Sequence, residues 1–221
     1  MNFEVVLKIG GSLSRGQSLA ALCQEIGRLG ARYHLLVVPG GGDFADIVRD
    51  HYRRYRLNET TAHAMALLAM DQYGWLLRDL IPNGDVVRDI LSARKTTADG
   101  RVPILLPATL LIQADPLPHS WQVTSDSIAA WIAGLACASQ LVLLKDVDGL
   151  LSDLSRRDTA EVLPAMSVKQ LVNQRGGVDE YLAVLLASLD LETWVINGLL
   201  PERLAELLDT GQTLGTRISR E

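Results

Sequence analysis

Phe3-Glu4-Val5-Val6-Leu7-Lys8-Ile9-Gly10-Gly11-Ser12 is an apolar, β-branched run that carries one lysine and stops at two glycines. It predicts a strand over 3–9 that ends in a turn. Two glycines let backbone N–H groups approach an anion closely, and Lys8, one residue inside the strand end, adds a cation. A Walker loop places its lysine after the glycines, as Gly-Lys-Ser/Thr; here the lysine comes first, so the stretch reads as a phosphate cradle of another kind. The competing reading is a lysine snorkelling at a strand end before a plain turn.

Outward from this stretch the pattern alternates. Leu19, Leu22, Ile26 and Leu29 recur at helical spacing, and Tyr33 to Val38 predicts a second strand. Pro39-Gly40-Gly41-Gly42 closes that strand, and Asp43 to Tyr55 is helical in pattern. Asn58-Glu59-Thr60-Thr61 offers caps for a long helix to about Leu80. Its Ala62, Met65, Ala66, Ala69 and Met70 form a small-residue face suited to close packing, in a dimer or in the chain's own core. Asp85 to Thr97 reads as helical, Val102 to Leu106 as a strand, and Pro107 to Pro118 as loop with a short extended piece.

Thr124-Ser125-Asp126-Ser127 caps another helix, and the wholly apolar Leu141-Val142-Leu143-Leu144 follows, as a strand covered on both faces requires. Helices over 167–173, 180–190 and 201–209, a strand at Thr193-Trp194-Val195-Ile196 and an end segment from Gly215 to Ile218 complete the series. This alternation predicts an α/β fold with a mostly parallel sheet. No repeat or linker composition divides the chain, so one domain over 1–221 is expected.

Two further constellations could do chemistry. Gly40, Gly41 and Gly42 precede a helix, where free N–H groups and the positive dipole end favour an anion. They also fit a loose G-x-G-x-x-A, but two helices follow in succession, against the βαβ return of a dinucleotide-binding fold. The second pairs Thr124-Ser125-Asp126 with Lys145-Asp146-Val147-Asp148-Gly149. Singly, these are a carboxylate beside a helix dipole and a turn. Together they lie at strand ends or helix starts, where open α/β sheets bind ligands.

Composition narrows the function. The 221 residues carry 21 basic and 26 acidic side chains, a net charge of −5, which argues against a general nucleic-acid binder. Only four of the basic residues are lysines, and half of these, Lys8 and Lys145, fall on the proposed phosphate loops. The four histidines show no metal spacing, and neither H-E-x-x-H nor G-x-S-x-G occurs, so no metal ligands are expected. Cys23 and Cys137 sit in apolar runs and read as buried free thiols. The start lacks a basic signal-like region and the longest apolar runs are about ten residues, so a cytoplasmic protein without a membrane span is expected. Arg49, Arg53, Arg54 and Arg56 read as a solvated helix face, from which a residue near Gly40–Gly42 could reach an acceptor phosphate.

Taken in order, Lys8-x-Gly-Gly-Ser, Pro39-Gly-Gly-Gly, Thr124-Ser-Asp, Lys145-Asp-Val-Asp-Gly, Asn197-Gly198 and Gly215-Thr216 resemble the amino acid kinase superfamily over nearly the whole chain. The resemblance implies a three-layer αβα sandwich, with a small acceptor over about 1–120 and ATP with Mg²⁺ over about 121–221. It implies that Lys8 bridges the transferring phosphoryl group, that Asp126 orients Lys8, and that Gly10, Gly11 and Ser12 cradle ATP. Asp146, Asp148 and Gly149 would border the nucleotide, and Gly40, Gly41, Gly42 and Asp43 would hold the acceptor. His63 either donates to an acceptor phosphate or is satisfied within a helix interface.

Many members carry a second lysine in Gly-Gly-x-x-x-Lys, but Tyr181 stands there after Gly176-Gly177. Lys145 is the nearest substitute, with Arg15 and Arg175 as outsiders. Ala62-His63-Ala64-Met65-Ala66 with Ala69-Met70-Asp71-Gln72-Tyr73-Gly74 is similar to the branch typified by the aminomethylfuran phosphate kinase of methanofuran biosynthesis. This implies a kinase turning a small phosphomonoester into a diphosphate, as a homodimer or higher homo-oligomer. Two alternatives stay open: an acyl-phosphate-forming amino-acid kinase, and a non-catalytic nucleotide-binding protein on the same fold.

Overall fold

Val5–Ile9 forms β1, all five residues buried, and it pairs in parallel with a neighbour on each side. The computed structural model describes residues 3–16, 18–152, 160–173 and 176–220. After β1 a 3₁₀ turn, Gly11–Arg15, leads to α1 (Ser18–Gly30), β2 (Leu35–Pro39), α2 (Gly42–Tyr55) and α3 (Glu59–Leu80). The middle holds β3 (Gly84–Val87), α4 (Ile90–Ala98), β4 (Val102–Leu105), α5 (Ala108–Ala114), α6 (Ser125–Ala136) and β5 (Gln140–Lys145). The remainder is β6 (Ala165–Ser167), α7 (Val168–Leu171), α8 (Leu182–Ser188), β7 (Glu192–Asn197), α9 (Glu202–Thr210) and β8 (Gly215–Ser219).

One eight-stranded sheet runs β3-β4-β2-β1-β5-β7-β8-β6, parallel throughout except at β7–β8. Two apolar layers cover it. Val5, Leu7 and Ile9 face α1, α9 and the Tyr73–Leu77 part of α3, while Val6 faces α6, α8 and the Leu67–Met70 part of α3. The result is the three-layer αβα sandwich. Each fully buried Leu or Ile contributes roughly 2 kcal/mol of apolar transfer, so the central strands are fixed from both sides. The chain leaves β1 for β2 on one side and returns at β5 on the other. That reversal puts a crevice at the carboxyl end of β1.

Three readings of the sequence need correction. Gly84–Val87 is an edge strand rather than the start of a helix, because Val86 and Val87 pair with Ile104 and Leu105 and Asp89 caps α4 from Ser92 onward. Ala108–Ala114 is a helix rather than loop, held at its start by the Asp71 carboxylate, which accepts from the Ala108 N–H at 3.0 Å. Cys137 is exposed, because at φ 54° it closes the C-terminus of α6 and its side chain leaves the apolar run. Cys23 is buried, its thiol pushed up to about 12 by desolvation. The small-residue face of α3 is used inside the chain: Ala62, Ala69 and Met70 are buried, with Ala69 packed against Ala45 and Val48 of α2.

Candidate active site

Strand parity brings the charged residues together. Side chains alternate along a strand, so Lys8 shares the α6 face of the sheet with Val6, and Lys145 shares it with Leu141 and Leu143 of the adjacent β5. Asp126 lies in the first turn of α6 above that face. One Asp126 oxygen is 2.8 Å from Lys8 Nζ, and the other accepts from Lys145 Nζ at 2.7 Å. Lys8 and Asp126 are 4% and 2% exposed. Burial pulls the Lys8 ammonium below its ordinary value against the opposing Asp126 charge. Burial would raise the Asp126 carboxyl, but Lys145 and Lys8 together hold it well below the usual carboxylate range. Two cations thus meet the Asp126 carboxylate at the floor of the crevice, with the Asp179 carboxylate close enough to act on both Lys8 and Asp126.

A residue that sequence reading missed fixes this arrangement. Thr124 makes no side-chain cap to its own helix, and Asp179 supplies one from across the fold. Its carboxylate accepts from the Thr124 N–H, the Thr124 hydroxyl and the Ser127 N–H, each at 2.9 Å, and from the Ser127 hydroxyl. It also accepts from the Leu182 N–H at 3.0 Å. Burial, followed by the Asp126 charge, raises the Asp179 carboxyl. No motif marks Asp179, because its Thr124 and Ser127 partners lie 52–55 residues away and it sits in a loop without periodicity.

The two glycine turns close the cleft. A Cβ on Gly10 would come within 2.6 Å of the Leu144 carbonyl oxygen, and one on Gly11 would collide with the Gly42 backbone. Gly42 has φ +57°, a conformation that favours glycine. Gly10, Gly11, Ser12, Gly41, Gly42, Thr124, Ser125, Lys8, Lys145 and Asp146 line a cleft of about 340 Å³, with Arg15, Asp46, Arg49 and Gly177 at its sides. This is within the size range of small-molecule sites.

Not every expected residue is among those lining the cleft. Gly40 is buried beneath it, its N–H bonded to the Ile9 carbonyl at 2.9 Å. Asp43 is turned to Arg15, whose Nε donates to it at 3.0 Å. Asp148 accepts from Asn197 Nδ2 at 2.8 Å and pairs with Arg203, and these bonds hold its carboxyl low. Gly149 is buried against Thr216, whose hydroxyl accepts from the Leu150 N–H at 2.7 Å and donates to the Leu163 carbonyl. Asp148, Asn197 and Thr216 thus shape the loop that presents Lys145 and Asp146. Tyr181 packs against the apolar layer around α6, and Arg175 lies outside the described residues.

The cleft opens sideways into a less polar space. Gly41, Ala45, Arg49, Thr124 and Ser125 line both the cleft and this side pocket, which continues past His63, Met70, Trp121 and Ile128. Arg49 bridges the two: Nη1 donates to Asp46 at 2.8 Å and the guanidinium carbon lies 4.9 Å from the Trp121 ring centroid. His63 is stacked on His119 with centroids 4.4 Å apart. Burial, then the neighbouring His119, lowers its pKa, which favours the neutral imidazole near pH 7. Trp121 carried no sequence signal, because it sits in an irregular loop.

A cation pair held under two glycine turns, at the carboxyl ends of a parallel sheet, is an arrangement suited to holding anionic groups, as a phosphotransferase requires. The chain belongs to the Amino acid kinase family, whose model matches residues 4–190. It is 27% identical over 216 residues to the [5-(aminomethyl)furan-3-yl]methyl phosphate kinase of Methanocaldococcus jannaschii, covering 96% of each chain. It is 24% identical to the acetylglutamate kinase of Solibacter usitatus, covering 97% of this chain and 98% of that one. The crystal structure of the uridylate kinase from Archaeoglobus fulgidus superposes with a TM-score of 0.78 at 25% identity, covering 99% of this chain and 100% of that one. The UMP kinase of Ureaplasma parvum shares the fold, with a TM-score of 0.78 at 20% identity and 99% coverage of each. No helix among the described residues is long and apolar enough to cross a membrane.

Proposed function

We propose that this chain is an ATP- and Mg²⁺-dependent kinase that converts a small phosphomonoester into a diphosphate, with [5-(aminomethyl)furan-3-yl]methyl phosphate as its acceptor. The observation that carries the reading is the buried Lys8–Asp126 pair, joined by the partly buried Lys145, facing a cleft that leads into an apolar, ring-lined side pocket. The relatives support it: one is named for that furan phosphate, and another for uridylate, itself a phosphomonoester.

The residues present fit the nucleotide. Gly10 and Gly11 line the cleft without side chains, which lets their turn pack against Leu144 and Gly42 and leaves room above it for a phosphate chain, the Gly10 N–H being bonded to the Leu144 carbonyl at 2.8 Å. Ser12, Lys145 and Asp146 extend that surface. Mg²⁺, when bound, supplies charge neutralisation on the phosphate oxygens, with Asp146 as the exposed carboxylate lining the cleft.

In the transfer, an oxygen of the acceptor phosphate forms a bond to the γ-phosphorus of ATP. The bond from that phosphorus to the β–γ bridging oxygen breaks, leaving ADP and the acceptor diphosphate. Lys8 lies against the moving group and Lys145 takes the part of the family's second lysine, both aimed by Asp126. Arg49 and the Gly41–Gly42 turn hold the acceptor phosphate in line. Little covalent work is asked of the protein, since positioning and fixed charge carry most of phosphoryl transfer.

The acceptor is tested by incubating the chain and ATP with the furan phosphate, with uridylate and with acetylglutamate in parallel. ADP together with a furan diphosphate is the expected product. A hydroxylamine-trappable acyl phosphate from acetylglutamate would instead make the chain an acyl-phosphate former, and ATP binding without ADP release on any acceptor would leave it a nucleotide-binding protein. We further propose a homo-oligomer formed through the exposed Leu68, Trp75 and Leu76 of α3.

A further inference from the structure

The side pocket does not end at Arg49. His63, Ala66, Trp121 and Val123 line it and also line a smaller chamber of about 30 Å³, whose far wall adds Glu59, Ala62 and Ser120. The route from the cleft therefore changes sign along its length. Cations stand at the phosphate end, Lys8, Lys145 and Arg49, and rings and alkyl groups line the middle. At the far end Glu59 is the one formally charged residue lining the chamber among the described residues, with His63 favoured neutral. The Tyr52 hydroxyl donates to Glu59 Oε1, and Tyr52 packs edge-on against Trp121 with centroids 5.7 Å apart. The carboxylate is thus tied to the Trp121 wall, and its second oxygen has no bond to the protein among the described residues.

We propose that Glu59 is the specificity residue for a cationic group on the acceptor, so that the site takes a flat-ringed phosphomonoester carrying an ammonium at the end opposite its phosphate. An ammonium beside a carboxylate and an aromatic wall is held by both charge and ring. Glu59 is exposed, so a neutral end merely goes without the ion pair, whereas an anionic end meets like charge, which selects against it. The inference rests on the phosphomonoester kinase reading above. Glu59 also lies favourably in the first turn of α3, a structural role that would not depend on which acceptor is bound.

Steady-state kinetics on the full chain with ATP separates these roles, using two furan-methyl phosphates that differ only in an aminomethyl or a methyl group on the ring. The parent is expected to prefer the aminomethyl compound about tenfold in kcat/KM, with the difference in KM. Glu59→Gln should collapse that preference to about twofold or less, and Glu59→Lys should reverse it toward a carboxymethyl analogue. A Glu59→Gln enzyme that keeps the full tenfold preference overturns the inference while leaving the kinase reading intact. A parent that turns over neither furan phosphate overturns the kinase reading, and the inference falls with it. Should Glu59→Gln fold poorly, Tyr52→Phe frees Oε1 while keeping the carboxylate, and a preserved preference is the expected result; its loss counts against the assignment.

Discussion

The ammonium groups of Lys8 and Lys145, residues 137 positions apart on neighbouring strands, end 2.8 and 2.7 Å from the two oxygens of the single Asp126 carboxylate. The Asp179 carboxylate, bonded to Thr124 and Ser127 on either side of Asp126, adds a second negative charge to this cluster and, like Asp126, acts on Lys8.

Lys8→Ala removes a cation whose partner keeps a second lysine, so Asp126 is not left buried and unpaired. Turnover should fall by about a thousandfold or more, as for a group that stabilises transition-state charge. The thermal midpoint should stay within several degrees of the parent. Turnover within tenfold of the parent would count against the assigned role.

Lys145→Met should lower kcat by about 10² if Lys145 stands in for the lysine that Tyr181 replaces. Because both lysines act through Asp126, the Lys8→Ala/Lys145→Met double variant should be little worse than Lys8→Ala alone. Fully additive losses in the double-variant cycle would mean that the two cations work independently.

Each member of the Lys8–Asp126–Lys145 trio carries a local signal: a lysine before two glycines, an aspartate in a capped first helical turn, and a lysine at a strand end; that Asp126 serves Lys8 comes from the family resemblance, and its bond to Lys145 comes from the structure. Only the β1–β5 register, which sets Lys8 beside Leu143, tells that Lys8 and Lys145 share a face. Asp179 and Trp121 were not legible, since what they do depends on loops that tertiary packing places. β3 was misread because Asp85 to Thr97 has no break in composition, and only pairing with β4 makes Gly84–Val87 extended. α5 was misread because seven residues after a proline give too few turns to show a period.

Asp179→Asn removes the charge from a carboxylate that collects backbone and hydroxyl donors at the start of α6. It also turns an NH₂ group toward those donors. A stability loss of about 2 kcal/mol is expected from the mismatched hydrogen bonds. As a positioning residue acting through Asp126, it should also lower kcat more than it raises KM for ATP. Urea denaturation and steady-state kinetics on one preparation check both, and an unchanged kcat would confine Asp179 to stability.

Leu68, Trp75 and Leu76 fall at i, i+7 and i+8 on α3 and are exposed by 51%, 50% and 39%. Three large apolar side chains on one helical face form a patch that a second copy would cover. Trp75→Glu should shift the mass seen by light scattering from a multiple of 24.1 kDa to 24.1 kDa. A parent that already scatters as a monomer removes the proposal.

Alkaline pH should separate activity from stability. Burial lowers the Lys8 pKa, so in the window between its lowered value and the ordinary one near 10.5 the unfolded chain binds more protons than the folded one. Through Lys8, stability then rises with pH across that window while the charge needed for transfer is lost. Asp126 has the opposite window: its stabilising contribution is full above the ordinary carboxyl value and disappears as pH falls through its depressed one. The expected outcome is a kcat that declines on the alkaline side below the ordinary lysine range while the circular dichroism of the fold is unchanged. A kcat that holds level to pH 10.5, or that falls only together with the fold, contradicts the role given to the Lys8 ammonium.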